Sequence, residues 1–248
     1  MLFIKLLDAT CYTINTTEGV VTIENKNLWL LFNIVGIDVY VNETMLATWI
    51  VSGVLIIFAL IVRMRVKSFK DTPSGFQNLI EMAVGSMDNL VKSTVGDKLD
   101  FLSGYFFCVF AFILAANFSG LFGLRPPTSD LATTIPLALS TFIIIHALGI
   151  YAQKGNYFKQ YISPNPIFLP INLIGEIAKP ISLAFRLFGN MLGGVIIMEF
   201  VYTLLPVLLR FAVPDIFHAY FDIFAGTLQA FVFTVLSLTF IQIIAAPY

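Results

Sequence analysis

Apolar residues dominate this chain in long runs that no charged side chain interrupts. Four windows without Asp, Glu, Lys or Arg cover residues 44–62, 101–124, 131–153 and 223–248. Each window approaches or exceeds the roughly 20 residues that an α-helix needs to cross the hydrocarbon core of a membrane. The pattern therefore predicts an all-α, polytopic membrane protein.

Two longer apolar segments, about 167–209 and 215–246, contain no strong cluster of loop-forming residues. As α-helices they would measure about 64 Å and 48 Å, against roughly 30 Å for the hydrocarbon core. Each segment is either a hairpin of short helices or one long, strongly tilted helix. We expect two long tilted helices, because the pieces of the first segment would be poor independent spans. Together with spans at 44–62, 101–123 and 131–153, this predicts five crossings.

A different pattern marks residues about 74–95, with Thr72 and Pro73 as the expected entry to a helix. Apolar residues recur there at helical spacing and polar residues fill the other positions, which predicts one amphipathic helix. It lies either at the membrane interface or packed on other protein. We assign residues 1–43 to an N-terminal outer segment and residues 44–248 to a single membrane domain.

Composition supports this class. Hydrophobic residues make up 58% of the chain and charged residues 12%, whereas about a quarter of a soluble domain is charged. These values exclude an ordinary soluble domain. The net charge of −1 gives no sign of a nucleic-acid partner, and we expect none.

The distribution of positive charge predicts the orientation in the membrane. Eight of the 14 Lys and Arg residues fall in the loops 63–100 and 152–163. Cytoplasmic loops carry an excess of Lys and Arg. We therefore expect the N-terminus outside and, after five crossings, the C-terminus in the cytoplasm.

Arg186 is the most unusual residue of the chain, because it is a fixed positive charge within an apolar helix. No other charged residue occurs between Lys179 and Glu199. A guanidinium keeps its proton even at low dielectric, and a charge at the bilayer centre costs at least a few kcal/mol. Such a residue is by default a functional-site hypothesis.

A helical wheel at 100° per residue puts small and polar residues on the same face as Arg186. With Arg186 at zero, the face contains Lys179 at about +20°, Ser182 at about −40°, Gly189 at about −60°, Asn190 at about +40° and Gly193 at about −20°. Small residues let another helix approach closely in a membrane. This face is expected to meet a partner helix that carries an acidic group.

The last helix is predicted to carry a second polar stripe. With Gln229 at zero, Asp222 falls at about +20°, Asp215 at about +40° and His218 at about −20°. Such a row is typical of a hydrated path with proton-relay or cation-binding groups. For Asp215 and His218 the alternative is a position in the outer headgroup layer, whereas for Asp222 and Gln229 we favour function.

Four further polar residues receive separate hypotheses. Glu199 points away from the arginine and is assigned to a second aqueous compartment toward the outer side. Glu176 either lines an inner cavity with Lys179 or forms an i,i+3 ion pair with it. Asn117 is expected to hydrogen-bond another helix, near the arginine. His146 stands alone among apolar residues and is interpreted as structural.

Two motifs carry a resemblance to a known family. KPISLAFRLFGNMLGG at 179–194, followed by LQAFVFTVLS at 228–237, resembles subunit a of bacterial F-type ATP synthases. The resemblance extends through LRPPTSDLATTIPLAL at 124–139 and covers essentially the whole chain. It identifies the chain as a suspected member of this family.

The resemblance implies a non-catalytic, ion-translocating stator subunit of the Fo sector, without a cofactor. Arg186 corresponds to the arginine that separates two aqueous half-channels and drives ion exchange on a c-subunit carboxylate. Gln229 corresponds to the family's glutamine near that arginine. The implied partners are the c-subunit ring, the b subunits of the peripheral stalk, other ATP synthase subunits, the lipid bilayer and transported H⁺ or Na⁺. The implied location is a bacterial plasma membrane.

The chain also departs from the family at two positions. Some members have a glutamate nine residues after the arginine, where this chain has Val195, and a histidine seven residues before the glutamine, where it has Asp222. A carboxylate at the second position can still relay a proton or ligate sodium. The complete set of expected ion-translocation residues is Arg186, Gln229, Asp222, Asn190, Glu199, His218, Asp215, Glu176, Lys179 and Asn117.

Two other functions compete with this one. A secondary transporter would use Arg186 as a counter-ion for its substrate, but such folds often show an internal repeat with broken helices, which the sequence lacks. A membrane scaffold gives no reason to keep a cation in the middle of a helix. The rotary channel subunit is therefore the favoured prediction.

Overall fold

The computed structural model describes residues 14–17, 20–23, 29–34, 37–67, 69, 75–153, 157, 167, 169–206 and 213–245. The predicted helix entry at Thr72 and Pro73 lies outside the described residues. So does the polar stretch 154–166, apart from Tyr157.

Helices make up the described membrane domain. In chain order they are α1 Glu43–Val66, α2 Phe76–Val95, α3 Leu102–Phe118, α4 Leu131–Gln153, α5 Leu169–Leu204, α6 Val213–His218 and α7 Gly226–Ala245. A π-helical segment, Ala219–Ala225, joins α6 to α7. Short 3₁₀ turns occupy Asp97–Leu99, Ser119–Phe122 and Pro127–Ser129.

Five helical segments of the described chain are long and apolar enough to cross a membrane, which confirms the predicted number of crossings. They are α1, α3 with its following turn, α4, α5, and α6 to α7 as one continuous segment. The longest, α5, has 36 residues and runs unbroken past Gly189, Gly193 and Gly194, so it is one helix and not a hairpin. It ends at Leu204, short of the predicted residue 209. Its length of about 54 Å exceeds the hydrocarbon thickness, and we expect it to be tilted.

Two β-hairpins precede the membrane domain, in a region for which the sequence predicted no regular structure. Strands β1 Ile14–Thr17 and β2 Val20–Ile23 pair antiparallel, as do β3 Trp29–Ile34 and β4 Ile37–Val41. These segments are rich in β-branched and aromatic residues, which favour extended backbone. The all-α class is confirmed for the membrane domain that follows.

Two apolar clusters hold the helices together. One joins α2, α3, α4 and α7, and the other joins α3, α4, α5 and α7. By contrast α1 buries little, and Val54, Ile56 and Ile57 are each 60% exposed. Exposing apolar side chains on such a surface costs no free energy in a membrane, because lipid tails are as apolar as the side chains.

The amphipathic helix α2 is present as predicted, from Phe76 to Val95. Its Met87 and Val91 are buried in the first cluster, against α3 and α7. The alternative of packing on other protein is therefore correct for this half of the helix. Leu79 and Met82 remain exposed, and a position at the membrane interface stays a prediction.

The membrane domain has two opposite ends, which we call the turn end and the α2 end. The turn end is where Pro127–Ser129 lies, and there Asp130 accepts hydrogen bonds from the backbone N–H of Ala132 at 3.0 Å and from Thr44 Oγ1 at 2.9 Å. The Asp130 carboxylate thereby caps the N-terminus of α4 and links it to the start of α1. The α2 end is the opposite one, where α2 packs on α3 and α7.

Candidate functional site

Arg186 lies on α5, and its side chain is exposed on the surface of the described chain. Within the described residues it has no ion pair and no hydrogen bond. The acids of its own helix do not neutralise it, because Glu176 pairs with Lys179 and Glu199 is about 20 Å away along the axis. Its charge is available to a partner outside this chain.

An open strip of small residues surrounds Arg186, as the helical wheel predicted. A Cβ added at Gly175, Gly189 or Gly193 would meet nothing within 4 Å, and Ser182 is exposed. The buried side of α5 is a different one, formed by Leu183, Ala184, Leu187, Met191, Gly194 and Met198. The strip is therefore left uncovered by the fold.

A groove beside this strip runs between α5 and α7. Lys179, Ser182 and Arg186 line it from α5, while Leu236 and Phe240 line it from α7. Its volume is about 240 Å³. The groove joins the arginine to the lysine nearer the α2 end.

Two predicted neighbours of the arginine are less exposed. Gln229, on α7, is 8% exposed, and Asn190 is half-buried on α5. No hydrogen bond links either of them to Arg186 within the described chain. Their proximity to the arginine in a working complex stays a prediction.

A polar cluster at the turn end links α5 to the last helix. His218 Nδ1 lies 2.6 Å from Asp222 Oδ2, and His218 Nε2 lies 3.1 Å from the Tyr202 hydroxyl. With the carboxylate ionised, Nδ1 donates to it, and Nε2 of a neutral imidazole then accepts from the tyrosine. Nε2 is thus the atom that takes up a proton. We call Tyr202, His218 and Asp222 the turn-end cluster.

Asp222 fits against a glycine of another element. It is 6% exposed, and a Cβ added at Gly120 would lie 2.7 Å from Asp222 Oδ2 and 2.9 Å from Oδ1. Real Cβ atoms essentially never come so close to a neighbour. Only a residue without a side chain leaves room for this carboxylate at the end of α3.

Asn117 supports the same region one turn away. Its Nδ2 donates to the Gly226 carbonyl at 2.9 Å, and its Oδ1 accepts from Thr128 Oγ1 at 2.7 Å. The predicted hydrogen bond to another helix is therefore present. Its partner helix is the last one, close to Asp222, and neither of these bonds goes to Arg186.

The π-helical segment changes the stripe predicted for the last helix. The wheel assumed 100° per residue, but Asp222 lies in π-helical backbone, where hydrogen bonds run from i to i+5. The phase before and after this segment therefore differs from that of a regular α-helix. Asp215 is exposed and has no ion pair with a described residue, whereas Asp222 and Gln229 are buried.

A second polar cluster lies toward the α2 end. Lys179 Nζ is 2.5 Å from Glu176 Oε1, so the i,i+3 ion pair is present. His146 Nε2 is 3.9 Å from Glu176 Oε2. The interpretation of His146 as alone among apolar residues is wrong, because packing of α4 on α5 supplies a carboxylate that its own helix lacks. We call His146, Glu176 and Lys179 the α2-end cluster.

Sequence reasoning missed several residues of these clusters. Tyr202, Gly120 and Thr128 lie in different elements from the groups they contact, and no spacing within one helix signals those contacts. A signal did exist for His146, since a polar ring inside an apolar span is costly. Among the described residues, no group of three or more His, Cys, Asp or Glu side chains is arranged to hold a metal ion.

The buried amide of Asn117 gives a first testable prediction. Asn117→Leu keeps the side-chain volume but removes two hydrogen bonds, the one from the Thr128 hydroxyl and the one to the Gly226 carbonyl. We expect the free energy of unfolding in detergent to fall by about 1–3 kcal/mol, the cost of an unsatisfied buried polar group. Thermal unfolding measures this. Cys108→Leu, at an exposed position of the same helix, is the matched control, and equal melting of the two variants would contradict the assignment.

Comparison with known proteins identifies the family. The family model described as ATP synthase A chain matches residues 45–242. The chain is 34% identical over 219 residues to the sodium-ion-specific ATP synthase subunit a of Propionigenium modestum, covering 82% of this chain and 73% of that protein. It is 33% identical to the chloroplastic subunit a of Stigeoclonium helveticum, covering 83% and 85%, and 32% identical to subunit a of Moorella thermoacetica, covering 85% and 93%. The chain therefore belongs to the ATP synthase subunit a family.

Proposed function

We propose that this chain is the ion-translocating stator of the Fo sector and that Arg186 separates two aqueous half-channels. The carrying observation is the position of the guanidinium, which is exposed and lacks an anionic partner within the described chain. It also lies between the two polar clusters. Along α5 it is about 15 Å from Glu176 and about 24 Å from Tyr202.

The open strip around Arg186 supports a rotating ring of c subunits as the partner. Small residues allow a second helix to approach closely, and an unpaired guanidinium at membrane depth favours a carboxylate on that helix. Opposite unit charges about 4 Å apart attract by about 4 kcal/mol at an effective dielectric of 20. This attraction keeps the ring carboxylate ionised as it passes and forces release of its ion. The same charge repels cations that would otherwise leak straight across.

The turn-end cluster supports one half-channel. His218 has a nitrogen that can accept a proton, and Asp222 stabilises the resulting imidazolium at 2.6 Å. Asp215 and Glu199 are exposed toward the same end and suit its entrance. Asn117 holds the helix that carries Asp222, and Asn190 and Gln229 complete the region near Arg186.

The α2-end cluster supports the other half-channel. Glu176 and Lys179 form its wall, and the groove that contains Lys179 continues to Arg186. An ion that leaves the ring on this side of the arginine therefore reaches the α2 end. Ion flow between the two ends requires nearly a full turn of the ring, which couples transport to rotation.

The chain is proposed to be a non-catalytic part of a larger assembly. The chain performs no bond chemistry, and ATP is made or hydrolysed by other subunits of the complex. The b subunits hold it as a stator. We assign the α2 end to the cytoplasm from the excess of Lys and Arg there, with the N-terminus outside and the C-terminus inside. The proposed location is a bacterial plasma membrane, because the motifs resemble those of bacterial members.

Removing the charge tests the central role of Arg186. In inverted membrane vesicles that contain the intact complex, Arg186→Ala is expected to abolish ATP-driven uptake of the transported cation and to open a passive leak. The reason is that both release at the ring and the barrier between half-channels depend on one charge. Cation uptake and decay of an imposed gradient are the two measurements.

A matched control separates this role from assembly. Ile177→Ala shortens an exposed side chain on the opposite face of the same helix and is expected to leave uptake unchanged. Normal uptake without a leak in Arg186→Ala would overturn the proposal.

The close fit of Asp222 to Gly120 gives a separate prediction. Gly120→Ala is expected to displace the Asp222 carboxylate and to lower the transport rate about 10-fold or more, because a shift of about 1 Å in a reacting group can cost 10²-fold. Gly104→Ala is the control, since a Cβ there meets nothing within 4 Å. Equal transport rates in the two variants would remove the buried Asp222 carboxylate from the ion path.

A further inference from the structure

His146 belongs to the α2-end cluster, but the proposed function assigns its imidazole no step. It lies on α4, while its neighbours Glu176 and Lys179 lie on α5. A small cavity between the helices is lined by these three residues and by Phe240 of α7. The cavity is at the α2 end, where Ile145 and Tyr157 join the cluster that contains α2.

One hydrogen bond fixes which ring nitrogen of His146 is basic. Nδ1 lies 3.0 Å from the Phe142 carbonyl oxygen. A carbonyl only accepts, so Nδ1 carries the hydrogen, and in the neutral imidazole the lone pair is on Nε2. Nε2 is the atom that faces Glu176 at 3.9 Å. The basic nitrogen therefore points into the cavity and not into lipid.

Glu176 provides a matching acceptor. Its Oε1 binds Lys179, while its Oε2 is buried and has no hydrogen-bond partner among the described residues. With His146 neutral, two acceptors face each other across the cavity. A proton on Nε2 changes one of them into a charged donor within ion-pair distance of the other, at 3.9 Å. The arrangement is suited to hold one additional proton.

The cavity and the groove that contains Arg186 are neighbours that share three lining residues. Lys179, Leu183 and Phe240 line both this cavity and the groove that contains Arg186. Pro180 lines the cavity and has no N–H to donate to the Glu176 carbonyl, so a further acceptor stays available on the backbone. Lys179, which is paired with Glu176 beside His146, is thus the polar side chain that also lines the groove at Arg186.

We propose that His146 is the proton-loading group of the half-channel at the α2 end. During ATP-driven pumping, Nε2 takes a proton from cytoplasmic hydronium, Glu176 stabilises the imidazolium, and the proton passes through water in the groove to the ring carboxylate. One N–H bond forms and then breaks, one proton moves, and no electron is transferred. In synthesis the same steps run backward. The inference rests on the proposed function and adds that the coupling ion at this end is H⁺, because an imidazole nitrogen relays protons and not Na⁺.

The test uses inverted vesicles with the intact complex, in which the cytoplasmic side faces the medium and its pH is set by the buffer. ATP-driven acidification is followed from about pH 6 to 8.5. His146→Asn keeps an N–H that can donate to the Phe142 carbonyl but removes the basic nitrogen. The charged and titratable groups that face His146 are Glu176, Lys179 and Tyr157, and all of them are unchanged in this variant.

The expected result depends on pH in a defined direction. Nε2 is loaded from hydronium, which becomes scarcer as the pH of the medium rises, so wild-type pumping falls with rising pH. At about pH 7.5 the variant should pump about 10-fold more slowly than wild type or worse. The deficit should shrink toward pH 6, where hydronium is more abundant. The variant should not leak passively, because Arg186 is intact.

A second variant protects the test against a folding defect. His146→Ala leaves a space where the imidazole side chain was. Added millimolar imidazole is expected to restore pumping by this variant, whereas phosphate of equal buffering strength is not. A merely structural role would give the same loss at every pH and no rescue, which would overturn the proposal. So would a pH profile of His146→Asn identical to that of wild type.

The ion is tested in the same vesicles. If wild-type complex transports Na⁺ and does not acidify the vesicles, the proton-loading role is overturned. Arg186→Ala distinguishes this from failure of the proposed function, since it uncouples the complex whichever ion is carried.

Discussion

A permanent positive charge at membrane depth needs a negative partner, and the described chain gives Arg186 none. Its own acids are paired elsewhere or too distant, as Glu176 is with Lys179. The fold maintains this situation, because the buried side of α5 packs on α3, α4 and α7 and leaves the small-residue strip open. Within the described chain the unpaired charge is therefore a property of the architecture, and it is the basis for proposing a carboxylate from another subunit.

The rest of the membrane domain places one polar cluster on each side of that charge along α5. At the turn end, Gly120 and Asn117 hold the π-helical segment so that Asp222 is buried beside His218. At the α2 end, packing of α4 on α5 brings His146 to Glu176. Each cluster is built across helices, so neither forms unless the bundle has assembled. Along α5, Arg186 is the only charged residue between Lys179 and Glu199, which fits the proposed barrier between two aqueous paths.

Sequence and structure agree where a rule depends on one helix at a time. Charge-free length predicted α4 with the bounds 131–153 that the structure has, and the wheel predicted the open strip around Arg186. Contacts between helices were beyond that reasoning. A helical wheel describes one helix and contains no neighbouring helix. It therefore could not predict that His146 faces Glu176 or that Gly120 makes room for Asp222. It also assumed one helical period, which the π-helical segment breaks.

Cross-linking tests most directly whether the Arg186 face meets the ring. Position 182 lies on the open strip and position 177 on the opposite face, and both are exposed. Ser182→Cys and Ile177→Cys are each combined, in the intact complex, with a cysteine one helical turn from the c-subunit carboxylate. We predict oxidative cross-links from position 182 and none from position 177. Cross-links from 177 alone, or from neither in an assembled complex, would contradict the account.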